Sequence, residues 1–494
     1  MTEKAILEFI NHLEELYEVD KWTIHGIHVW PLIRLNIGDK LLEEGIASCP
    51  KGRNILSGKI NIIKRGIEEL IDFLKLYIGD YHNNAKYSGE QILCIVHNGG
   101  RQIKIKEHGW FHQTVSPIYE ELVAASKRVY CMEYIYNHGN NGKVMLPRGN
   151  KSKIINLDLL CYLIKYKILG PLSGHDNLPG VGDVINECEK KGIDRNVFNV
   201  RLRIHRLLAM RQYYLEKLKN SNVKLIVISD WRNTIEMALV MAAKKLGIKC
   251  IEVNHGYFGQ ECYTHFGWRK EPKTSYEVRP DYYWCWTKES TSRLNNELKN
   301  GKAIFGGPPQ ALAWQRGLKE HIESIDRNFE AVIPSEMKVI IFTLNPDIPY
   351  GEYPVWLLDV IKETSSCYYW LLRKHPRKKK NSGQDEICKL IEKYENVEWE
   401  YSSVAPLYQL LECADVHVTY NSSSIIEAEV MGLRTVVLSE TFLGRFEGQV
   451  NRGNAAYAGS KEEMISLLER YGSAGRMGTL TENGIGELIK LTET

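Results

Sequence analysis

A chain of 494 residues is too long for one hydrophobic core at ~100–200 residues per domain, and 44% apolar side chains are ample for two large domains with an added subdomain. A formal net charge of +3 is nearly neutral for this length, which excludes a general nucleic-acid binder whose affinity comes from neutralising phosphates. The odd number of cysteines, 11, with no CxxC pair or His/Cys ligand spacing, reads as reduced and mostly buried thiols of a cytosolic protein.

Residues 1 to about 85 read as a helical segment separate from the rest of the chain, with Ile6, Phe9, Ile10, Leu13 and Leu16 at helix spacing. Acids run through its apolar stretch, so it has neither the h-region nor the cleavage site of a signal peptide. No segment reaches the ~18 uninterrupted apolar residues of a membrane span, so the expectation is a soluble protein, at most peripheral at the inner face of a membrane. Between Trp22 and Arg34 lie Trp22, Trp30, His25 and His28; aromatics stack on sugar faces, although buried packing is the commoner use of Trp. A second amphipathic run, Ile60 to Tyr77, sets Lys64 and Arg65 beside Ile62, Ile63 and Ile67. A helix packed on the body is the plain reading. A membrane-surface helix is the sharper one, and Glu68, Glu69 and Asp72 dilute its basic face.

From residue 91 apolar strands alternate with helices: Ile92 to Val96, Arg128 to Met132, Leu225 to Ser229, Lys249 to Val253, Tyr282 to Trp286 and Lys302 to Phe305. Gly306-Gly307-Pro308-Pro309 is a break suited to a hinge. A second alternation runs through Lys338 to Leu344, Tyr368 to Arg373, Val397 to Trp399, Val416 to Thr419 and Thr435 to Leu438. Such alternation predicts parallel strands crossed over by helices, hence two open α/β domains in tandem, with ligands beyond the carboxyl ends of the strands. The expected division is a helical extension over 1–88, a first α/β domain over 89–308 and a second over 309–494.

The chemistry-bearing residues fall at those strand ends. After the first strand come Asn98, Gly99, Gly100 and Arg101, offering backbone N–H groups and a guanidinium; an ordinary βα turn and a phosphate or acceptor contact are both open. Asp230-Trp231-Arg232 follows the third, and Asn254-His255-Gly256 the fourth. Either Asp230 or His255 is placed to take a proton from an acceptor hydroxyl, while an N-cap Asp and a His in a Gly turn are the plain readings. In the second unit Arg373-Lys374-His375-Pro376 follows one strand, with Pro376 fixing the turn that aims His375. One repeat later Asn421-Ser422-Ser423-Ser424 opens an amphipathic segment with Glu427 one turn on, and the orphan N–H groups of a helix start, with serine hydroxyls, welcome an anion.

RKHPR at 373–377 and TYNSSSIIEAEVMG at 419–432 resemble the paired His-Pro and Ser motifs of GT-B glycosyltransferases, particularly bacterial sialyltransferases, polysialyltransferases and Kdo transferases of capsule and lipopolysaccharide assembly. The likeness covers the last third of the chain. It implies a GT-B fold, two Rossmann-like domains facing across a cleft with an extra N-terminal helical region, and a donor phosphate held by His375 and by Ser422, Ser423 and Ser424. It also implies an inverting transfer of Kdo or sialic acid from a CMP-sugar to a glycan or lipid-linked glycan, with a possible assembly-complex contact, and with Glu427 accepting from ribose hydroxyls. The run Cys413-Ala414-Asp415-Val416-His417-Val418 before the serines also fits enzymes using UDP- or GDP-sugars, and a CDP-glycerol-type transferase stays open. The acidic-acidic-Gly motif that carries the base in bacterial sialyltransferases has its one match at Glu43-Glu44-Gly45, away from any strand end. No DxD triplet, HExxH or Walker loop occurs, so neither a metal nor a cofactor is expected: Arg373, His375 and the Ser-headed helix would neutralise the leaving phosphate. A non-catalytic glycan-binding scaffold and a sugar-nucleotide epimerase are the remaining alternatives.

Overall fold

The computed structural model describes residues 2–46, 89, 91–97, 102–105, 109–134, 152–154, 176–254, 256, 259, 261–322, 325, 329, 333–345, 348–375, 383–477 and 484–493. The amphipathic run 60–77, the Asn98–Arg101 loop, His255 and Pro376 lie outside them.

Two small antiparallel pairs, β1 Thr23–Ile24 with β2 Ile27–His28 and β4 Gln102–Ile105 with β5 Gly109–His112, flank two parallel sheets that organise the chain. The first sheet is built from β3 Ile92–His97, β6 Val129–Tyr134, β7 Ser152–Ile154, β8 Leu225–Ile228, β9 Lys249–Val253, β10 Tyr282–Cys285 and β11 Lys302–Phe305, in the spatial order β11-β10-β9-β8-β3-β6-β7. The second is built from β12 Lys338–Thr343, β13 Tyr368–Arg373, β14 Val397–Glu398, β15 Val416–Thr419, β16 Arg434–Val437 and β17 Ala455–Tyr457, in the order β14-β13-β12-β15-β16-β17.

Strand composition explains the layering. In β3, Leu93 and Ile95 enter the core on one face while Ile92, Cys94 and Val96 enter the core on the other, the period of 2 that a sheet covered on both sides requires. Helices Arg201–Leu218 and Thr234–Lys245 cover the first of those faces, and Val115–Ala124 the second. In the second sheet Ile340 and Phe342 share one core with Trp370 and Val416, while Val339 and Ile341 turn to the opposite side.

The N-terminal helices Glu3–Leu16 and Trp30–Ile46 do not stand apart, as helix spacing alone led one to expect. Ile6, Ile10, Leu13, Trp22 and Trp30 belong to the same core as Leu93, Ile226 and Leu239 of the first lobe. Trp22 and Trp30 are fully buried and meet edge to face at 5.7 Å, so their role is packing. Arg34 is fully buried too, donating to Glu14, to the carbonyls of Tyr263 at 3.0 Å and Phe266 at 2.7 Å, and lying 4.2 Å from the Trp268 ring. The Tyr276–Trp286 stretch is likewise interior, with Arg279 donating to Glu271 at 2.7 Å.

The helix Ile485–Glu493 belongs spatially to the first lobe: Ile485 and Leu488 enter its core, and Lys249 Nζ donates to the Leu491 carbonyl at 2.9 Å. Among the described residues no helix is long and apolar enough to cross a membrane.

Candidate functional site

In the second sheet strand order reverses between β12 and β15, the point where open α/β sheets leave a crevice at their carboxyl edge. Thr343 pairs with Arg373 on one side and with Thr419 on the other, so the three strands end level. Two residues past those ends stand Asn345, His375 and Asn421, at the same height on adjacent strands spaced about 4.8 Å apart. Asn345 donates its side-chain N–H to Asn421 Oδ1, closing the crevice floor.

The three serines beyond Asn421 take different tasks. Ser422 Oγ accepts the Ser424 N–H at 3.3 Å, just ahead of the short helix Ser424–Val430, whose N-cap position is Ser423. Ser424 is buried, and its hydroxyl meets Thr343 Oγ1 at 2.9 Å and His417 Nε2 at 3.2 Å. Burial pushes the His417 imidazole down to about 3, so it is neutral and bridges Thr343 to Thr435 Oγ1, each at 2.9 Å. Ser423 Oγ joins neither network. It points to the other lobe, where a side-chain carbon on Gly256 would lie 3.8 Å from it.

Glu427 lies one turn into that helix, and burial pushes its carboxyl up to about 7, with the Tyr408 hydroxyl and the Arg373 charge pulling the other way. Arg373 itself donates to the carbonyls of Ser402 at 2.8 Å and Ala405, and burial lowers it to about 10 although Glu427 opposes the shift. Its guanidinium thus anchors the segment 402–405 and faces Glu427. His375 is exposed just beyond, with its backbone N–H held by Gln384 Oε1 at 2.9 Å. Glu429, on the opposite side of the helix, is bound by Gln449 at 2.9 Å, Arg452 at 2.9 Å and Asn454 at 2.6 Å. Arg452 also pairs with Glu289 of the first lobe, beside an interlobe cavity of about 130 Å³ lined by Trp286, Phe305, Leu312, Ile426 and Val430.

On the first sheet the reversal lies between β3 and β8. Ile228 of β8 pairs with Glu252 of β9, so Asp230 and Asn254 sit side by side two residues on. Asp230 accepts from Arg232 through both oxygens, at 2.8 and 3.0 Å. Burial works against the Arg232 charge, but Asp230 outweighs it and holds the guanidinium above its usual value. Asn254 donates to the Gly256 carbonyl at 2.7 Å, which shapes the turn that reaches Ser423.

One residue of this interface escaped sequence reasoning. Arg445, in the turn Glu440–Phe446 after β16, crosses to the first lobe, where a side-chain carbon on Gly259 would lie 2.9 Å from its Cγ. Its Nε is buried and, among the described residues, has no hydrogen-bond partner. A lone Arg in an apolar turn carries no signal in the sequence, since only the fold brings it to Gly259.

No protein-family model matches the sequence, and no curated protein sequence does either. Solved structures do resemble it. The UDP-GlcNAc 2-epimerase of Methanocaldococcus jannaschii superposes with a TM-score of 0.53 at 14% identity, over 82% of this chain and 100% of that one. The chain has the GT-B fold. Its two lobes are the Rossmann-like halves of that fold, with the helices of residues 3–46 added to the first. Other GT-B-like structures resemble it less: the UDP-GlcNAc 2-epimerase of Neisseria meningitidis (TM-score 0.47, 15% identity, 82% of this chain and 99% of that one) and the wall teichoic acid polymerase TagF (0.41, 14%, 88% and 97%).

Proposed function

We propose that this protein is a metal-independent inverting glycosyltransferase that takes a sugar from a nucleotide donor held by the second lobe and passes it to a surface-glycan acceptor in the cleft. The observation that carries this reading is the approach of Ser423, at the strand reversal of one sheet, to Gly256 at the carboxyl edge of the other. Two crevices facing each other suit a reaction with two substrates. Ser423, the backbone N–H groups beside it, His375 and Arg445 supply donors for the leaving phosphate, and Glu427 accepts from ribose hydroxyls. Asp230, clasped by Arg232, and His255 are the two groups for the acceptor proton.

The donor we favour is a CMP-linked acidic sugar, Kdo or sialic acid, on the strength of the His-Pro and Ser motifs. Melting the protein with CMP, UDP, GDP and ADP in parallel tests this, because a ligand at 100 times its Kd stabilises the native state by about 2.7 kcal/mol. Protection by CMP alone is the expected result, and protection by UDP or GDP alone moves the donor to that class. Nucleotide release from a CMP-sugar only when an acceptor glycan is present supports transfer. Turnover of a UDP-sugar with no acceptor would instead assign an epimerase, the activity named for the Methanocaldococcus protein, and protection by no nucleotide would refute the reading.

A further inference from the structure

The turn after β9 carries a thiol in an unusual setting, on residues to which the proposed transfer assigns no role. Cys262 Sγ lies 3.1 Å from Thr264 Oγ1 and 3.7 Å from His265 Nδ1, and the same Thr264 hydroxyl is 2.6 Å from that nitrogen. On the far side of the ring Nε2 is 2.8 Å from Oε2 of Glu252, whose other oxygen accepts the Trp231 N–H at 3.1 Å. Trp231 and Tyr283 stand edge-on to the imidazole at 6.4 and 5.8 Å and fix its plane. Thiol, hydroxyl, imidazole and carboxyl therefore form one continuous line from the half-buried Cys262 to a buried acid.

The line is suited to donating hydrogen bonds toward sulfur. Burial and the Asp230 charge push Glu252 up to about 8, so at neutral pH it carries a proton to donate to Nε2, and burial keeps His265 neutral. The Nδ1–H then donates to Thr264 and the Thr264 hydroxyl to Sγ, so the line stabilises a thiolate whose proton goes to solvent. Burial, the largest influence, raises the Cys262 thiol, yet His265 and Thr264 together leave the net shift downward, with Glu3 of the first helix opposing. Arg232 faces the sulfur and gains from its negative charge, and Arg279 faces the ring. The buried thiols Cys94, Cys188, Cys285 and Cys388 are all pushed the other way, upward, by burial.

We propose that Cys262 is a modification site: a nucleophilic sulfur, held as thiolate by the Thr264 hydroxyl with His265 behind it, that a small neutral hydroperoxide oxidises to a sulfenic acid. Cys262 is half-buried and its sulfur meets the Thr264 hydroxyl, a setting that favours a small oxidant over the in-line approach of a bulky disulfide. The thiolate attacks one peroxide oxygen, an S–O bond forms as the O–O bond breaks, and the hydroxide that leaves takes from solvent the proton that the thiol had released there, giving water. Cys–SH and H₂O₂ thus give Cys–SOH and H₂O, sulfur losing the two electrons that the peroxide gains.

The full chain, pulsed with iodoacetamide between pH 5 and 9 and read by peptide mass spectrometry, carries its own reference in the exposed thiol of Cys367. Cys262 is expected to alkylate about tenfold faster than Cys367 at pH 7 with a lower pH midpoint, and to be the first cysteine to give a dimedone adduct after hydrogen peroxide. His265→Gln should abolish the advantage, and Thr264→Val, which keeps the shape but removes the hydroxyl at the sulfur, should reduce it several-fold even where the histidine variant folds poorly. Labelling of Cys262 no faster than Cys367, or unchanged in a folded Thr264→Val protein, would overturn the proposal.

Discussion

Replacing Glu427 with Gln should make the protein more stable above neutral pH and worse at holding a nucleotide. Burial raises the Glu427 carboxyl from an ordinary 4.5 to about 7, despite the Tyr408 hydroxyl and the Arg373 charge. A carboxyl whose folded pKa lies above its unfolded value favours folding fully below 4.5 and loses that contribution as the pH rises through 7. At about 1.36 kcal/mol per pH unit the difference amounts to about 3 kcal/mol. The side chain keeps some contact with solvent, so about 2 kcal/mol is the expected size at pH 8. Urea unfolding at pH 5 and pH 8 measures it: Glu427→Gln should match the parent to within about 0.5 kcal/mol at pH 5 and exceed it by about 2 kcal/mol at pH 8. Equal differences at the two pH values would refute the reasoning, because a neutral isostere relieves a burden that exists only when the carboxylate is charged. The same variant should show weaker thermal protection by nucleotide, since an amide offers one acceptor where the carboxylate offers two.

Ser423→Ala and Ser424→Ala should separate: the first leaves unfolding within about 0.5 kcal/mol but weakens nucleotide protection, whereas the second costs about 1–2 kcal/mol by stripping a partner from buried Thr343 and His417. Gly259→Ala puts a carbon 2.9 Å from Arg445 Cγ and should displace that side chain, lowering nucleotide affinity in calorimetry with little change in melting temperature. Arg34→Met should cost about 3–5 kcal/mol in chemical denaturation, because Glu14 is left charged and fully buried without its partner.

The two sheets were legible because their strands are apolar runs of four to six residues separated by amphipathic helices, and their predicted ends differ from the observed ones by only a residue or two. Of the four edge strands β11 and β14 were read, and β7 and β17, of three residues each, were not. The N-terminal helices read as separate from their helix spacing, which cannot show that Glu14 and Arg34 neutralise one another inside the core. At the candidate site the strand ends and the Ser run could be read from the sequence. Which serine faces the cleft could not, since that depends on the phase of a seven-residue helix set by Thr343, His417 and Glu429. Arg445 and Gly259 are far apart along the chain, and no local pattern links them.

The return of helix Ile485–Glu493 to the first lobe bears on how the molecule is made and how it moves. During synthesis the first sheet waits with part of one face uncovered until the whole of the second sheet has been translated, so a kinetic partner such as a chaperone has its opening there. In the finished protein the chain crosses between the lobes on the way out and again on the way back. Two tethers oppose free rotation of one lobe against the other, where a single tether would permit it.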